Sequence, residues 1–230
     1  MYLKEIWECI PSNEAKQFNV RILLNDLSIN LLGRNIEILD VGCGDGKSID
    51  LFKKSEIQFN WKGLDIESSP EVRSRARTDG EFYSYDGINI PFPDESFDIV
   101  FSNQVFEHVR YPEIVLREIR RVLKNDGIFF GSVSYLEPFH SYSLFNFTPY
   151  GWYTINKSCG LQPKFLAGGV DAVSLIKRNL KMDGVSDDMW VCSPLNKQII
   201  NDPSLNSKEK NYKILMGAGH IVFMCRRSAR

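Results

Sequence analysis

Short apolar runs alternate with longer amphipathic stretches along most of this chain. Ile36 to Val41 is a compact apolar run that predicts a buried strand. Phe59–Ile66, Phe82–Tyr85, Phe97–Ser102 and Ile128–Val133 repeat the pattern. Between them, Lys47–Lys54, Ser69–Arg77 and Pro112–Leu123 read as helices. Pro70 suits the first turn of the second. In the third, Ile114, Val115, Ile119 and Val122 recur on one face. Upstream, Ser12–Leu32 predicts a helix with Ser12 as its cap and Gly33 just past its end; Ala15, Phe18, Ile22 and Leu23 stand at helical spacing. Asn125-Asp126-Gly127 predicts a turn. Strands alternating with helices imply an α/β fold with a parallel sheet covered on both faces. A ligand then belongs at the carboxyl ends of the strands. Asp40, Asp65, Asp86 and Ser102-Asn103 all fall at such ends.

After Val133 the rhythm changes. Tyr135 to Tyr153 is unusually aromatic. Thr148–Gly160 predicts a helix, with Thr148 as cap and Pro149 at its first position. Strands follow near Gln162–Leu166 and at His220–Cys225. The stretch from about 169 to 211 is polar, contains Pro194 and Pro203, and reads as an irregular insertion too poor in apolar residues for its own core.

Composition narrows the function classes. The 230 residues suffice for one domain with insertions. A formal net charge of −1 argues against electrostatic capture of nucleic acid. No apolar run is long enough to span a membrane, and the acidic residue at Glu5 does not suit a signal peptide. Five scattered cysteines form no pair or metal-binding cluster, so a reducing cytoplasm is the expected compartment.

The chemistry-bearing stretch is Ile38-Leu39-Asp40-Val41-Gly42-Cys43-Gly44-Asp45-Gly46. Its glycines permit positive φ and close backbone approach to a ligand. Lys47 stands where a dinucleotide fingerprint has its third glycine, and no P-loop spacing is present. Asp65, about 20 residues on, is placed to accept ribose hydroxyls. Each also has a plainer reading: a tight strand–helix turn, a solvated loop acid, and for Asp86 a turn before Gly87.

Taken together, "ILDVGCGDG", "GLDIE" (Gly63–Glu67), Asp86–Val109 and Arg117–Val133 resemble the class I S-adenosylmethionine-dependent methyltransferases of the small-molecule type. The resemblance implies a Rossmann-like, mostly parallel seven-stranded sheet with helices on both faces and an antiparallel last strand. It implies one domain over 1–230, with a helical cap over about 1–34 and an acceptor-side insertion over about 169–211. The implied cofactor is S-adenosylmethionine, leaving S-adenosylhomocysteine. Gly42, Gly44 and Gly46 would pass beneath its methionine part, with Asp40 near the amino group. Asp65 would hold the ribose, with Ile66 beside it, and Asp86 and Gly87 would meet the adenine. Ser102 and Asn103 would line the far side, below the sulfonium. Cys43 falls in the same shell, where a small packing residue is its simplest role. The absent third glycine fits a cofactor with no pyrophosphate.

The implied reaction is in-line methyl transfer to a small-molecule or saccharide acceptor, most simply at a hydroxyl oxygen. A base helps such a reaction. His108, just after the fourth strand, and His140, in the aromatic stretch, are the candidates; packing is the alternative for each. His220 reads as structural. Some quinone-pathway O-methyltransferases bind a divalent cation through Glu-x-x-Glu-His at this position. Here Glu107 and His108 match but Gln104 replaces the first acid, so no obligatory metal is predicted. The stretch "PFH…FNFT..G" also resembles a segment of methyltransferases associated with glycan and natural-product gene sets. Its aromatics suit stacking on a sugar or ring, with Tyr2 and Trp7 adding to the same cap. A nicotinamide-dependent oxidoreductase and a non-catalytic cofactor-binding module stay as alternatives, and a homodimer is left open.

Overall fold

The computed structural model describes residues 3–183 and 188–228. Seven strands form one sheet: β1 (Asn35–Val41), β2 (Gln58–Asp65), β3 (Glu81–Ser84), β4 (Phe97–Asn103), β5 (Leu123–Ser134), β6 (Leu161–Gly168) and β7 (His220–Arg227). Their order is β3-β2-β1-β4-β5-β7-β6. All pairs up to β4–β5 are parallel, and β7 runs antiparallel between β5 and β6. The order reverses between β1 and β4, and that switch point positions the site.

Side chains alternate across the sheet as strand geometry requires. Leu39, Val41, Val100, Phe129 and Val133 face one core, and Ile36, Ile38, Ile99, Phe101 and Phe130 the other. The helices in chain order are α1 (Lys4–Cys9), α2 (Val20–Ser28), α3 (Ser48–Lys53), α4 (Pro70–Arg73), α5 (Pro112–Val122), α6 (Pro149–Ser158), α7 (Ala172–Asn179), α8 (Met189–Cys192), α9 (Pro194–Ile200) and α10 (Ser207–Met216). Helices α1, α5 and α6 bury residues in the first core, while α2 and α3 bury theirs in the second. The periodic face read in α5 is its buried stripe, with Leu116 added and Ile114 left outward.

Three expectations need correction. The turn read at Asn125-Asp126-Gly127 lies within β5, which already pairs with Phe97 at Leu123 and shifts register before Ile128, with Asp126 at φ 63°. The helix over Ser12–Leu32 is only α2, and Ser12 does not cap it. Asn19, in extended geometry, accepts from the Ile22 amide instead. The chain before it is an extended strap along β6, where the Phe18 amide donates to the Gly168 carbonyl at 3.0 Å and Phe18 meets Phe165 edge-on. The strap thereby carries the N-terminal segment from one face of the sheet to the other and covers an edge strand. The segment over 169–211 is also not irregular. It holds α7, α8, α9 and the start of α10, each seeded by a local signal: Asp171 caps α7, Pro194 opens α9, and Asn206 with Glu209 forms a capping box on α10. The low apolar content does tell, since its own cluster is only Val170, Leu175 and Met189.

Polar side chains attach it instead. Buried Gln17 donates to the Met189 carbonyl at 2.9 Å and accepts from the Ser193 amide at 2.9 Å and Asn196 Nδ2 at 2.7 Å. Asn211 donates to the Pro11 and Glu14 carbonyls and accepts from the Lys16 amide. Among the described residues, no helix is long and apolar enough to cross a membrane.

Candidate active site

β1 ends in a turn built from three glycines at positive φ: Gly42 at 76°, Gly44 at 52° and Gly46 at 83°. The amides of Gly42 and Cys43 both donate to the Leu64 carbonyl, so the loop leaves the sheet tightly against β2. At the end of β2, Asp65 accepts from the Gly44 amide through Oδ2 and from the Ile66 amide through Oδ1, each at 2.7 Å. Burial raises its carboxyl, against the pull of these amides and of Arg75. Arg75 donates to the Gly44 carbonyl from the other side and lies 3.9 Å over the Phe82 ring.

Asp40 is buried beneath this loop. It accepts from the Ser48 hydroxyl, which itself accepts from Trp61 Nε1 at 3.0 Å. Burial pushes the Asp40 carboxyl up to about 7, moderated by Ser48 and reinforced by Asp65. Cys43 is buried as a packing residue: a Cβ on Gly63 would lie 2.7 Å from its sulfur, and burial pushes its thiol up.

Ile66 and Asp86 share a cleft of about 450 Å³ with Glu67, Ser68, Ser84 and Tyr85 at the ends of β2 and β3. Gly87 follows at φ 81°. The Asp86 carboxylate accepts from the Ile88 and Asn89 amides and from Asn89 Nδ2, all within 2.8 Å, so it builds its own turn at the cleft rim. Ser102 is buried inside the sheet, with its hydroxyl donating to the Val41 carbonyl at 3.0 Å. Asn103 is exposed and accepts from the Ser132 hydroxyl at 2.7 Å.

The acceptor side lies across the switch point. After β4 the chain turns at Gln104 (φ 56°) into a short 3₁₀ turn, Phe106–His108, anchored by buried Phe106. Glu107, fully buried, faces the end of β5. There the Ser134 hydroxyl lies 3.0 Å from Glu107 Oε1, from Glu137 Oε2 and from His140 Nδ1, and 3.2 Å from Gln104 Oε1. His140 Nδ1 also lies 3.1 Å from Glu107 Oε1, and that hydrogen bond raises its basicity against partial burial. The rings of His108 and His140 meet edge to face at 4.7 Å. His220 Nε2 reaches Glu137 at 2.9 Å, which brings the histidine read as structural into the same network.

The loop 137–146 lines a cavity of about 590 Å³. The Leu144 and Phe145 amides pin it to the Glu107 carbonyl. The aromatic stretch divides its labour. Phe147, Trp152 and Tyr153 are core residues, whereas Phe139 and Tyr142 are 70% and 85% exposed around the cavity. Trp7 stacks obliquely on Tyr212 of α10 rather than on this loop, and Tyr2 lies outside the described residues.

The two halves touch. A Cβ on Gly42 would lie 2.3 Å from Val105 Cγ2, so the glycine turn abuts the turn that carries Glu107 and His108. The site thus joins Asp40, Gly42, Gly44, Asp65 and Ile66 on one side with Glu107, His108 and His140 on the other. Ser102 stays in the sheet. Ser134, Glu137, Arg75 and Tyr85 were not anticipated as part of it. The spacing Ser134-x-x-Glu137-x-x-His140, just past a strand end, is the signal that would have found three polar members of one cluster.

Residues 39–131 match the family model described as a methyltransferase domain. A demethylmenaquinone methyltransferase of Thermotoga maritima is 37% identical over 92 residues, 40% of this chain and 40% of that protein. An uncharacterized protein of Methanocaldococcus jannaschii is 39% identical over 139 residues, covering 54% and 59% of the two chains. The matched region therefore spans less than two thirds of either relative. Among solved structures, a putative sarcosine dimethylglycine methyltransferase from Galdieria sulphuraria shares the fold, with a TM-score of 0.58 at 19% identity over 91% of this chain and 85% of that one. Family match, strand order and glycine turn agree: residues 39–131 carry the methyltransferase-domain match, on a sheet of the class I S-adenosylmethionine-dependent type.

Proposed function

We propose that this protein transfers a methyl group from S-adenosylmethionine to a hydroxyl oxygen of a small ring-bearing acceptor, a saccharide being the class we favour. The observation that carries this reading is the abutment of Gly42 on Val105, which sets a cofactor-type glycine turn against the Glu107–His108–His140 cluster.

The residues present fit the cofactor. A side-chain-free turn gives it backbone approach, Asp65 presents a carboxylate beside that turn, and Ile66 and Tyr85 line the adjoining cleft. When bound, S-adenosylmethionine supplies an electrophilic methyl group on a sulfonium. Asp40 would serve its amino group and Asp65 its ribose hydroxyls. The chain's remaining tasks are to orient the acceptor, exclude water and remove one proton. Glu107 accepts from His140 Nδ1, the arrangement that leaves the other ring nitrogen with a lone pair for the acceptor proton. His140 would take up the acceptor's hydroxyl proton, while the bound cofactor would supply the methyl group and depart as a neutral thioether. Exposed Phe139, Tyr142 and Phe145 around the cavity offer faces for stacking on a ring.

The test is transfer of labelled methyl from S-adenosylmethionine to a panel of sugars, phenols and hydroquinones. Transfer to a hydroxyl acceptor, reduced by His140→Ala, supports the reading. Transfer confined to nitrogen or carbon acceptors would overturn its oxygen specificity.

A further inference from the structure

Glu107 is an anomaly on electrostatic grounds. Its side chain is fully buried, and its Oε2 has no hydrogen-bond partner. An ionised carboxylate so placed calls for a compensating positive charge. Among the described residues, its ion pair is with His140 alone, and neighbouring Glu137 pairs only with His140 and His220. Among the described residues, no lysine or arginine bridges to either acid. His108 adds a second orphan, a buried Nδ1 without a partner. Two carboxylates and three imidazoles thus converge, with two buried ligand-type atoms, Glu107 Oε2 and His108 Nδ1, left without hydrogen-bond partners.

The same residues have the right atoms in reach of one another. Glu107, His108 and His140 each offer one ligand atom, and all three atoms lie within 4.8 Å. Metal–nitrogen and metal–oxygen bonds of about 2.0–2.2 Å put ligand atoms on a tetrahedral ion roughly 3.3 Å apart. Glu107 Oε1 and His140 Nδ1, at 3.1 Å, already have such a separation. The widest pair needs to close by at most about 1.5 Å, within the range of a side-chain rotation. The expectation of no metal rested on Gln104 standing in place of an acid. His140, from the loop after β5, provides a third ligand without that position.

We propose that Glu107, His108 and His140 form a binding site for one divalent transition-metal ion. The ligand set is two imidazoles and one carboxylate, which suits zinc, cobalt, manganese or iron rather than the all-oxygen preference of magnesium or calcium. Three protein ligands leave a coordination position open toward the acceptor cavity. Ser134, touching both Glu107 and His140, is the outer-shell group that would hold the ligands in orientation. This inference rests on the reading of the cluster as the acceptor-side half of a methyltransferase site; with an ion bound, His140 Nδ1 gives up the proton it donates to Glu107 and ligates instead, so the ion rather than the imidazole would activate the hydroxyl.

The experiment is titration of the metal-free full-length protein with cobalt(II), followed by its visible absorption and by calorimetry, in parallel with calorimetry of S-adenosylhomocysteine. One cobalt ion per chain with micromolar or tighter affinity is expected, displaced by zinc and not by excess magnesium. Glu107→Gln, His108→Ala and His140→Ala should each weaken cobalt more than about 100-fold, and Ser134→Ala about 10- to 100-fold. All four variants should still bind S-adenosylhomocysteine, which certifies that they fold. No cobalt binding below millimolar, binding unaffected by the three ligand variants, or preference for magnesium would each overturn the metal site. Failure of the wild-type chain to bind S-adenosylhomocysteine would instead sink the methyltransferase reading, so the two failures are distinguishable.

Discussion

The Gly44 amide donates to Asp65 Oδ2 at 2.7 Å, tying the glycine turn after β1 to the acid at the end of β2. One residue thereby shapes the loop and presents a carboxylate to the pocket. Replacing Asp65 with Ala removes two amide contacts and the proposed ribose acceptor together. Charge-assisted hydrogen bonds contribute about 1.5–3 kcal/mol each, so cofactor affinity should fall at least roughly tenfold. Calorimetry of S-adenosylhomocysteine binding to Asp65→Ala and Asp65→Asn checks this, with Asn expected to lose less.

Gly42 meets Val105 too closely for any side chain. Gly42→Ala should destabilise the fold by more than about 1 kcal/mol, because the clash adds to the penalty of positive φ. Val105→Ala in the same chain should recover the steric part and leave the φ part. Urea unfolding of the two single variants and the double variant gives that coupling directly.

Asp40 predicts a pH dependence with a definite sign. Its folded carboxyl is raised to about 7 from an ordinary 3.8, chiefly by burial. The folded chain therefore holds this proton more tightly than the unfolded chain does. Its stabilising contribution is complete below the unfolded value and is lost as pH rises through about 7. Ligand-free wild-type protein should lose stability across that window relative to Asp40→Asn, as the difference between their denaturation curves from about pH 4 to pH 8 will show.

Gln17 holds the strap to the insertion through three buried hydrogen bonds. Gln17→Ala removes the side-chain partner of the Met189 carbonyl and the Ser193 amide, while Asn196 Nδ2 keeps its bond to the Gly169 carbonyl. A buried group left unsatisfied costs about 1–3 kcal/mol. Limited proteolysis should then cut first within 169–211, while the sheet survives.

The core of the fold was legible because its signals are local. Apolar runs such as Ile36–Val41 and glycines such as Gly42 dictate strands and turns by their own geometry. Asp40 and Asp65 could be placed because strand ends gather at one edge of a parallel sheet. The misread parts depend on distant partners. The strap over 12–19 is extended because Gly168 and Asn211 bind it, and no local periodicity encodes those contacts. Ser102 stands at a strand end by sequence, and the hydrogen bond of its hydroxyl to the Val41 carbonyl on the neighbouring strand is visible only in the folded sheet. Asp86 carries both signals at once, building a local turn with Asn89 while lining the cleft at the ends of β2 and β3. Ser134 and Glu137 escaped notice because their meaning appears only when β5 brings them against Glu107.

The central claim is that the glycine turn and Asp65 form one adenosyl-cofactor pocket. Calorimetric titration of the purified chain with S-adenosylhomocysteine and, separately, with a nicotinamide dinucleotide tests it most directly. Binding of S-adenosylhomocysteine at one per chain, weakened by Asp65→Ala and with no heat from the dinucleotide, is the predicted result. Absence of S-adenosylhomocysteine binding at millimolar concentration, or binding indifferent to Asp65→Ala, would contradict it.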